Sequence, residues 1–308
     1  MPLLTIRHVT TYRYRRPVAF GEHRMMLRPR DSQDQRVLEA TLQIRPEPIS
    51  LRFVHDAFGN HLAIARFSEH AQELCFDSIV CIEHLPQDLT EDLDDAGMCA
   101  AGYSPSELPD LARYIERQDT DPENVVGSWV RHVQPSDGTV GPFEVFSRIS
   151  QSIKRGFRYR RREAKGIQQP VETLRLGHGS CRDFALLLIE AARSLGFAAR
   201  FASGYLAIPL DDLDDPRSSA RGSTHAWAQI YLPETGWINF DPTSGSVGNR
   251  DLVTVAVARD PRHTTPLHGT FVGTSSDALG MDVQVRVTHD TPDTRWAAAN
   301  PPLSLRPN

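Results

Sequence analysis

Three residues of this chain have the types and order that nucleophilic catalysis needs. Cys181 stands at the front of the helical run "CRDFALLLIEAARSLGF", directly after "GHGS". His225 opens the alternating stretch "HAWAQIYL" on the second strand read after that helix, and Asp241 closes "GWINFD" on the third. A cysteine at a helix N-terminus meets free N–H groups and the positive end of the helix dipole. With an imidazolium nearby, such a thiol can fall from ~8.5 into the range ~3.5–7.5. An adjacent carboxylate holds the imidazole and stabilises its charged form. Each residue also has a plainer reading: an inert buried cysteine, a strand-end histidine, a turn aspartate before Pro242. Taken together they read as nucleophile, base and orienter.

Other residues qualify for supporting parts. An oxyanion needs pre-aimed donors. The backbone N–H of Cys181 is the first candidate; the Gln168 or Gln169 side chain, just ahead of the helix, and the Tyr159 hydroxyl are further ones. Trp227 shares a strand side with His225, so it either walls the site or belongs to the core. Asp183, on the first helical turn, complements the dipole or pairs with an arginine such as Arg182 or Arg200. His178 is an alternative base, but it sits on a glycine-flanked loop without rigid support. Arg158, Arg160, Arg161 and Arg162 form a basic run, read as a solvated loop or as a docking patch for an acidic substrate.

The elements that must carry these groups follow from periodicity. "LTIRHVTTYRY", "RVLEATLQIRPE", "HDAFGNHLAIARF" and "ELCFDSIVCIEHL" read as half-buried strands of a small β-sandwich. The acidic, breaker-rich "PQDLTEDLDDAGMCAAGYSPSELPD" reads as a linker, its carboxylates solvated rather than metal-bound. Helices follow: one capped by Ser104 or Ser106, one with Asp121 as N-cap and Pro122 at N1, and one with Phe143, Phe146, Ile149 and Ile153 on a single stripe. "RYRRREAKGIQQPVETLRLGHGS" reads as a loop. In the helix from Cys181, Phe184, Leu187, Leu188, Ala191 and Leu195 form one apolar face, and Gly196 marks its stop. "AARFASGYLAI", "THAWAQIYL" and "GWINFDPT" read as strands, and "LVTVAVA" and "MDVQVRVT" as extensions of the same sheet. The expected division is an N-terminal β domain over 1–90, a linker over 91–105, a catalytic core over 106–288 and a loose tail over 289–308.

Composition sets outer bounds. The chain has 308 residues, 40% hydrophobic and 24% charged, with a net charge of −5, as a soluble globule requires. That charge gives no general reason to bind nucleic acid or an anionic membrane. No apolar run reaches the ~20 residues of a membrane span. No signal-peptide pattern is seen, and the four cysteines are too sparse for a disulfide scaffold, so a cytoplasmic location is expected. Neither a C-x-x-C pair nor a calcium loop occurs, so no metal and no cofactor is expected.

The blocks "GIQQPVETL", "GSCRDFALLLIEAARSLGFAARFASGYL" and "STHAWAQIYLPETGWINFDPT" together resemble the transglutaminase-like superfamily. More narrowly, with "YRYRRPVAFGEHRMMLRPRDSQDQRV" near the start, the chain resembles bacterial transglutaminase-like proteins often described as cysteine proteases. The resemblance implies an α+β fold: a papain-like core in which a nucleophile helix packs on an antiparallel sheet, preceded by the small all-β domain. It also places the family's catalytic cysteine, histidine and aspartate at Cys181, His225 and Asp241. A thiol acyl-transfer enzyme acting on a peptide or protein substrate follows, with hydrolysis favoured. Transglutaminase cross-linking and a non-catalytic peptide-binding module are the alternatives, and the oligomeric state stays open.

Overall fold

The computed structural model describes residues 3–86, 102–133, 140–161, 166–207 and 223–290. The acidic cluster at 91–95, most of the expected linker, Cys99, Arg162, the polar loop before His225 and residues 291–308 lie outside them.

The chain opens with β1 (Leu3–Met25), a strand of 23 residues. Its apolar and polar positions alternate in burial, as a half-buried strand requires. β2 (Gln35–Arg45), β3 (Ser50–His55), β4 (His61–Arg66) and β5 (His70–His84) build around it in the order β2-β5-β1-β4-β3. β5 runs antiparallel to the first part of β1, from Leu3 opposite Glu83 to Arg13 opposite Glu73. Register shifts between Arg13 and Val18 and between Phe20 and His23 re-aim β1, so that its end pairs with β4. Such bulges let one long strand serve two sets of neighbours.

Three helices follow: α1 (Leu108–Ile115), α2 (Val125–Val133) and α3 (Pro142–Gly156). Asp121 does cap α2, but not as its N-cap residue. The helix starts at Val125, and the carboxylate accepts from the N–H groups of Val125 at 2.7 Å and Val126 at 3.0 Å. The stretch read as loop after α3 holds three short elements: β6 (Arg158–Tyr159), α4 (Pro170–Leu176) and β7 (His178–Gly179). Pro170 starts α4 and Gly177 ends it in the left-handed region, at φ 63°, the asymmetry expected of helix ends. Seven residues were too few to show a period.

α5 (Cys181–Ser194) then packs on a sheet of β8 (Ala199–Leu206), β9 (Ser223–Leu232), β10 (Gly236–Asp241), β11 (Ser246–Val247) and β12 (Leu252–Ala258). Their order is β11-β10-β9-β8-β12, antiparallel throughout. The core between helix and sheet joins Phe184, Leu187, Leu188 and Ala191 of α5 to Phe201, Ala226, Ala228, Ile230 and Phe240. Phe146, Ile149 and Ile153 of α3 close it from the side. Each buried Phe, Leu or Ile among them contributes roughly 1.5–3 kcal/mol. The helix-on-sheet core read from the sequence is therefore present.

Of the two stretches read as extensions of that sheet, "LVTVAVA" joins it as β12 and "MDVQVRVT" does not. It lies in β14 (Ala278–Asp290), which with β13 (Leu267–Val272) returns to β1, making a sheet of seven strands. β14 runs beside β1 from Leu3 opposite Asp290 to Tyr14 opposite Ala278. β5 covers only one edge of that half of β1, and β14 satisfies the backbone groups of the other.

Candidate active site

The segment before Cys181 is built to hold the helix start in one place. Gly177 turns the chain out of α4, and β7 pairs in parallel with β6 through Arg158 N–H to the Gly177 carbonyl (2.9 Å) and Arg160 N–H to the Gly179 carbonyl (2.8 Å). A Cβ on Gly179 would lie 2.9 Å from Cβ of Asp183 and 3.2 Å from the Phe184 ring. Only glycine allows that approach. Ser180 is the N-cap of α5, and Asp183 completes a capping box by accepting from Ser180 N–H and Oγ, both at 2.8 Å. Its other oxygen accepts from Gln168 N–H at 2.7 Å. Asp183 is thus a fastener for the helix start. Arg182 and Arg200 donate elsewhere, to the Pro261 carbonyl and to Gln229.

Cys181 is the first residue of the helix, a free and partly buried thiol at the edge of the core. Its backbone N–H belongs to the turn that has no intrahelical acceptor. Antiparallel pairing of β9 with β10 brings His225 and Asp241 together: Nε2 lies 2.9 Å from Oδ2 of Asp241, with side chains only 8% and 1% exposed. Cys181 is the imidazole's other neighbour, and with Nε2 facing the carboxylate, Nδ1 is the nitrogen left for sulfur. Burial opposes the charged ring, but Asp241, through its hydrogen bond and charge, and Cys181 together outweigh it and raise His225 to about 10. Asp241 is likewise opposed by burial, yet hydrogen bonds from His225, Ser244 Oγ and Thr243 N–H hold its pKa below the usual value.

The supporting candidates fall in different places. Trp227 is fully buried; its ring stacks on His225 at 6.2 Å between centroids, and Nε1 donates to Asn239 Oδ1 at 2.7 Å. It therefore backs the imidazole and belongs to the core. Gln168 is buried with both amide hydrogens engaged, donating to Thr173 Oγ1 and to the His178 carbonyl, each at 3.0 Å. Those bonds hold the loop, and no amide hydrogen is left over for a substrate. Gln169 is exposed and lies near Asp119. Tyr159 is half-exposed, 6.5 Å from the Phe184 ring; burial, then the nearby charge of Cys181, raises its pKa. His178 Nδ1 is buried without a hydrogen bond, and the imidazole that meets Cys181 is that of His225. Arg158, Arg160 and Arg161 are exposed.

One neighbour is read from sequence only as a candidate partner for Asp183. Arg182 has its Nη2 donating to the Pro261 carbonyl at 2.8 Å and its guanidinium 5.0 Å from the Phe201 ring centre. Burial lowers its pKa and the charge of Cys181 works against that, so a cation stands near the sulfur. Its position directly after the cysteine was the available signal.

Two family models match the chain. The bacterial transglutaminase-like N-terminal region covers residues 4–83, and the transglutaminase-like superfamily covers residues 129–242, which includes Cys181, His225 and Asp241. The uncharacterized protein ML0607 of Mycobacterium leprae is 34% identical over 118 residues, 38% of this chain and 40% of that protein. The uncharacterized protein YebA of Bacillus subtilis is 31% identical over 71 residues, 22% of this chain and 10% of that protein. The chain thus spans less than half the length of these curated relatives. Among solved structures, a "Putative Cysteine Protease" from Cytophaga hutchinsonii superposes with a TM-score of 0.70 over 95% of this chain and 92% of that one, at 16% identity. The two share a fold.

Proposed function

The chain belongs to the transglutaminase-like superfamily and carries the bacterial N-terminal region ahead of its core, and on that premise we propose that it is a thiol-dependent acyl-transfer enzyme that hydrolyses peptide or amide bonds. Family membership supports a thiol-dependent enzyme. The single observation that carries the finer reading is the 2.9 Å hydrogen bond of His225 Nε2 to Asp241, with Cys181 beside the same imidazole.

The chemistry follows from that chain. His225 takes the thiol proton at Nδ1, and the thiolate attacks the substrate carbonyl. Asp241 accepts from Nε2–H and so fixes the tautomer and tilt of the ring. Negative charge on the carbonyl oxygen is met by the Cys181 backbone N–H, with the Tyr159 hydroxyl as a second donor. The imidazolium then gives its proton to the leaving amine, and a thioester remains on Cys181. Water, deprotonated by His225, attacks the thioester and releases the acid, regenerating the thiol. Bulk water at ~55 M outcompetes an amine unless the site excludes it, which favours hydrolysis over cross-linking.

The test is turnover of a peptide library with and without added primary amine, using Cys181→Ala as blank. The expected result is new carboxyl ends, few amide products and no activity in the variant. Products that are mainly the amine adducts would reassign the enzyme as a transglutaminase, and turnover in Cys181→Ala would remove the proposal.

A further inference from the structure

A cavity of about 360 Å³ lies between the 30–34 segment that follows β1 and the sheet under α5. That volume suits a small molecule. Gln229 and Asn239 line it, on the sheet side that also carries Trp227 and His225; Ala228 and Ile230, which alternate with them, pack toward α5. Gln229 is four residues from His225 along β9, about 13 Å at ~3.4 Å per residue. The fully buried Trp227 stands between them. The cavity is therefore separate from the place where Cys181 would meet a scissile bond.

Two arginines from different parts of the chain enter this wall. Arg200 donates through Nε to Gln229 Oε1 at 2.8 Å, and its guanidinium lies 4.0 Å over the Trp237 ring, whose edge Tyr114 also meets. Arg30 donates through Nη1 to the Phe58 carbonyl and to Asn60 Oδ1, both at 2.8 Å. Among the described residues neither has a carboxylate within salt-bridge distance; Asp56, the acid nearest to Arg30 in effect, is engaged by Phe58 and Asn60. Burial pushes Arg200 down to about 10, and the charge of Arg30 adds to that. Two like charges thus stand near one another, partly desolvated, with no carboxylate in direct contact with either among the described residues, an arrangement that costs free energy.

A third donor is fixed beside them. Indole N–H can only donate, so Trp227 Nε1 and Gln229 Nε2, at 2.7 and 2.8 Å, identify the Asn239 atom they share as its oxygen. The Asn239 amide N–H groups are left over on the cavity wall. A guanidinium fork matches a planar carboxylate in two-point contact. Trp237 and Val257 supply apolar surface. Asp31 and Asp34 line the same cavity, and their charge disfavours a dianion. We propose that this cavity binds a small organic molecule through one carboxylate, held by Arg30, Arg200 and Asn239, with its apolar part against Trp237.

The test titrates the whole protein with sodium butyrate, reading tryptophan fluorescence and melting temperature at constant ionic strength. Sodium chloride, inorganic phosphate and butylammonium chloride serve as comparison titrants. The expected result is a saturable response to butyrate with a matching rise in Tm, and at least tenfold weaker binding in Arg200→Met. Arg200→Lys keeps a positive charge at this position but loses the fork, and should weaken binding about as much. It serves if the methionine variant does not fold. A butyrate response no different from chloride, tighter binding of phosphate than of butyrate, or unchanged affinity in the folded variants would overturn the proposal.

Discussion

Replacing Asp241 with asparagine tests the triad in a way its geometry makes sharp. The Thr243 N–H donates to Oδ1 at 2.9 Å, while Oδ2 receives both His225 Nε2 at 2.9 Å and Ser244 Oγ at 2.7 Å. In Asp241→Asn the Thr243 N–H keeps the amide oxygen at the Oδ1 position, so the amide nitrogen takes the place of Oδ2. It then presents N–H to His225, whose Nε2 must become the acceptor. The ring proton moves to Nδ1, facing Cys181, and the base can no longer take the thiol proton. A wrong tautomer of this kind costs roughly 10⁴-fold in kcat, so a fall of about 10³–10⁴-fold in kcat/KM is expected. A readout that needs no substrate is alkylation of Cys181 by iodoacetamide, followed by mass spectrometry, with the rate at pH 7 falling at least roughly tenfold. The variant also loses one of the two partners, Asp241 and Cys181, that lift His225 from 6.5 to about 10, worth on the order of a few kcal/mol to the buried ring. Because the folded value lies above the ordinary one, that stabilisation is complete below pH 6.5 and is lost as the pH climbs through about 10. The difference in Tm between the two proteins should therefore be widest near pH 6 and shrink toward pH 10. Undiminished alkylation together with a pH-independent Tm difference would refute the reasoning.

Three further outcomes follow from the same geometry. Gly179→Ala should lower stability by roughly 1–3 kcal/mol, seen in the denaturation midpoint, because the new methyl meets Cβ of Asp183 at 2.9 Å; Cys181 alkylation should slow with it. Asp183→Ala removes the capping box and the acceptor of the Gln168 N–H, and should cost on the order of 2 kcal/mol in urea unfolding. Tyr159→Phe should leave Tm unchanged, since the side chain is half-exposed, and should lower kcat/KM by about tenfold or more; an unchanged kcat/KM would remove the hydroxyl from the oxyanion site.

What the sequence made legible was local. The apolar spacing of Phe184, Leu187, Leu188 and Ala191 marked α5 and the face it buries, and alternation in "HAWAQIYL" and "GWINFD" marked β9 and β10. Cys181, His225 and Asp241 stood out because each begins or ends such an element. α4 was missed because its few residues carry no period, although Pro170 and Gly177 bracket it as helix ends should. The return of β13 and β14 to β1 was not readable, since pairing between Leu3 and Asp290 leaves no trace in either local pattern. Side-chain direction was the other blind spot. Gln168 has the right chemistry for an oxyanion donor, yet its amide hydrogens are consumed by Thr173 and His178. Arg200 was offered, beside Arg182, as a partner for Asp183 on charge alone, whereas the fold sends its guanidinium to Gln229 and Trp237.

The central claim is that sulfur at residue 181 carries the acyl group between donor and acceptor. Acid-quenching the enzyme during turnover of a peptide substrate and mapping the adduct by mass spectrometry tests it directly. The account predicts an acyl mass on the peptide containing Cys181, cleaved by hydroxylamine as a thioester and absent from Cys181→Ala. An adduct on Cys75 or Cys81 instead, or the same turnover in the alanine variant, would contradict it.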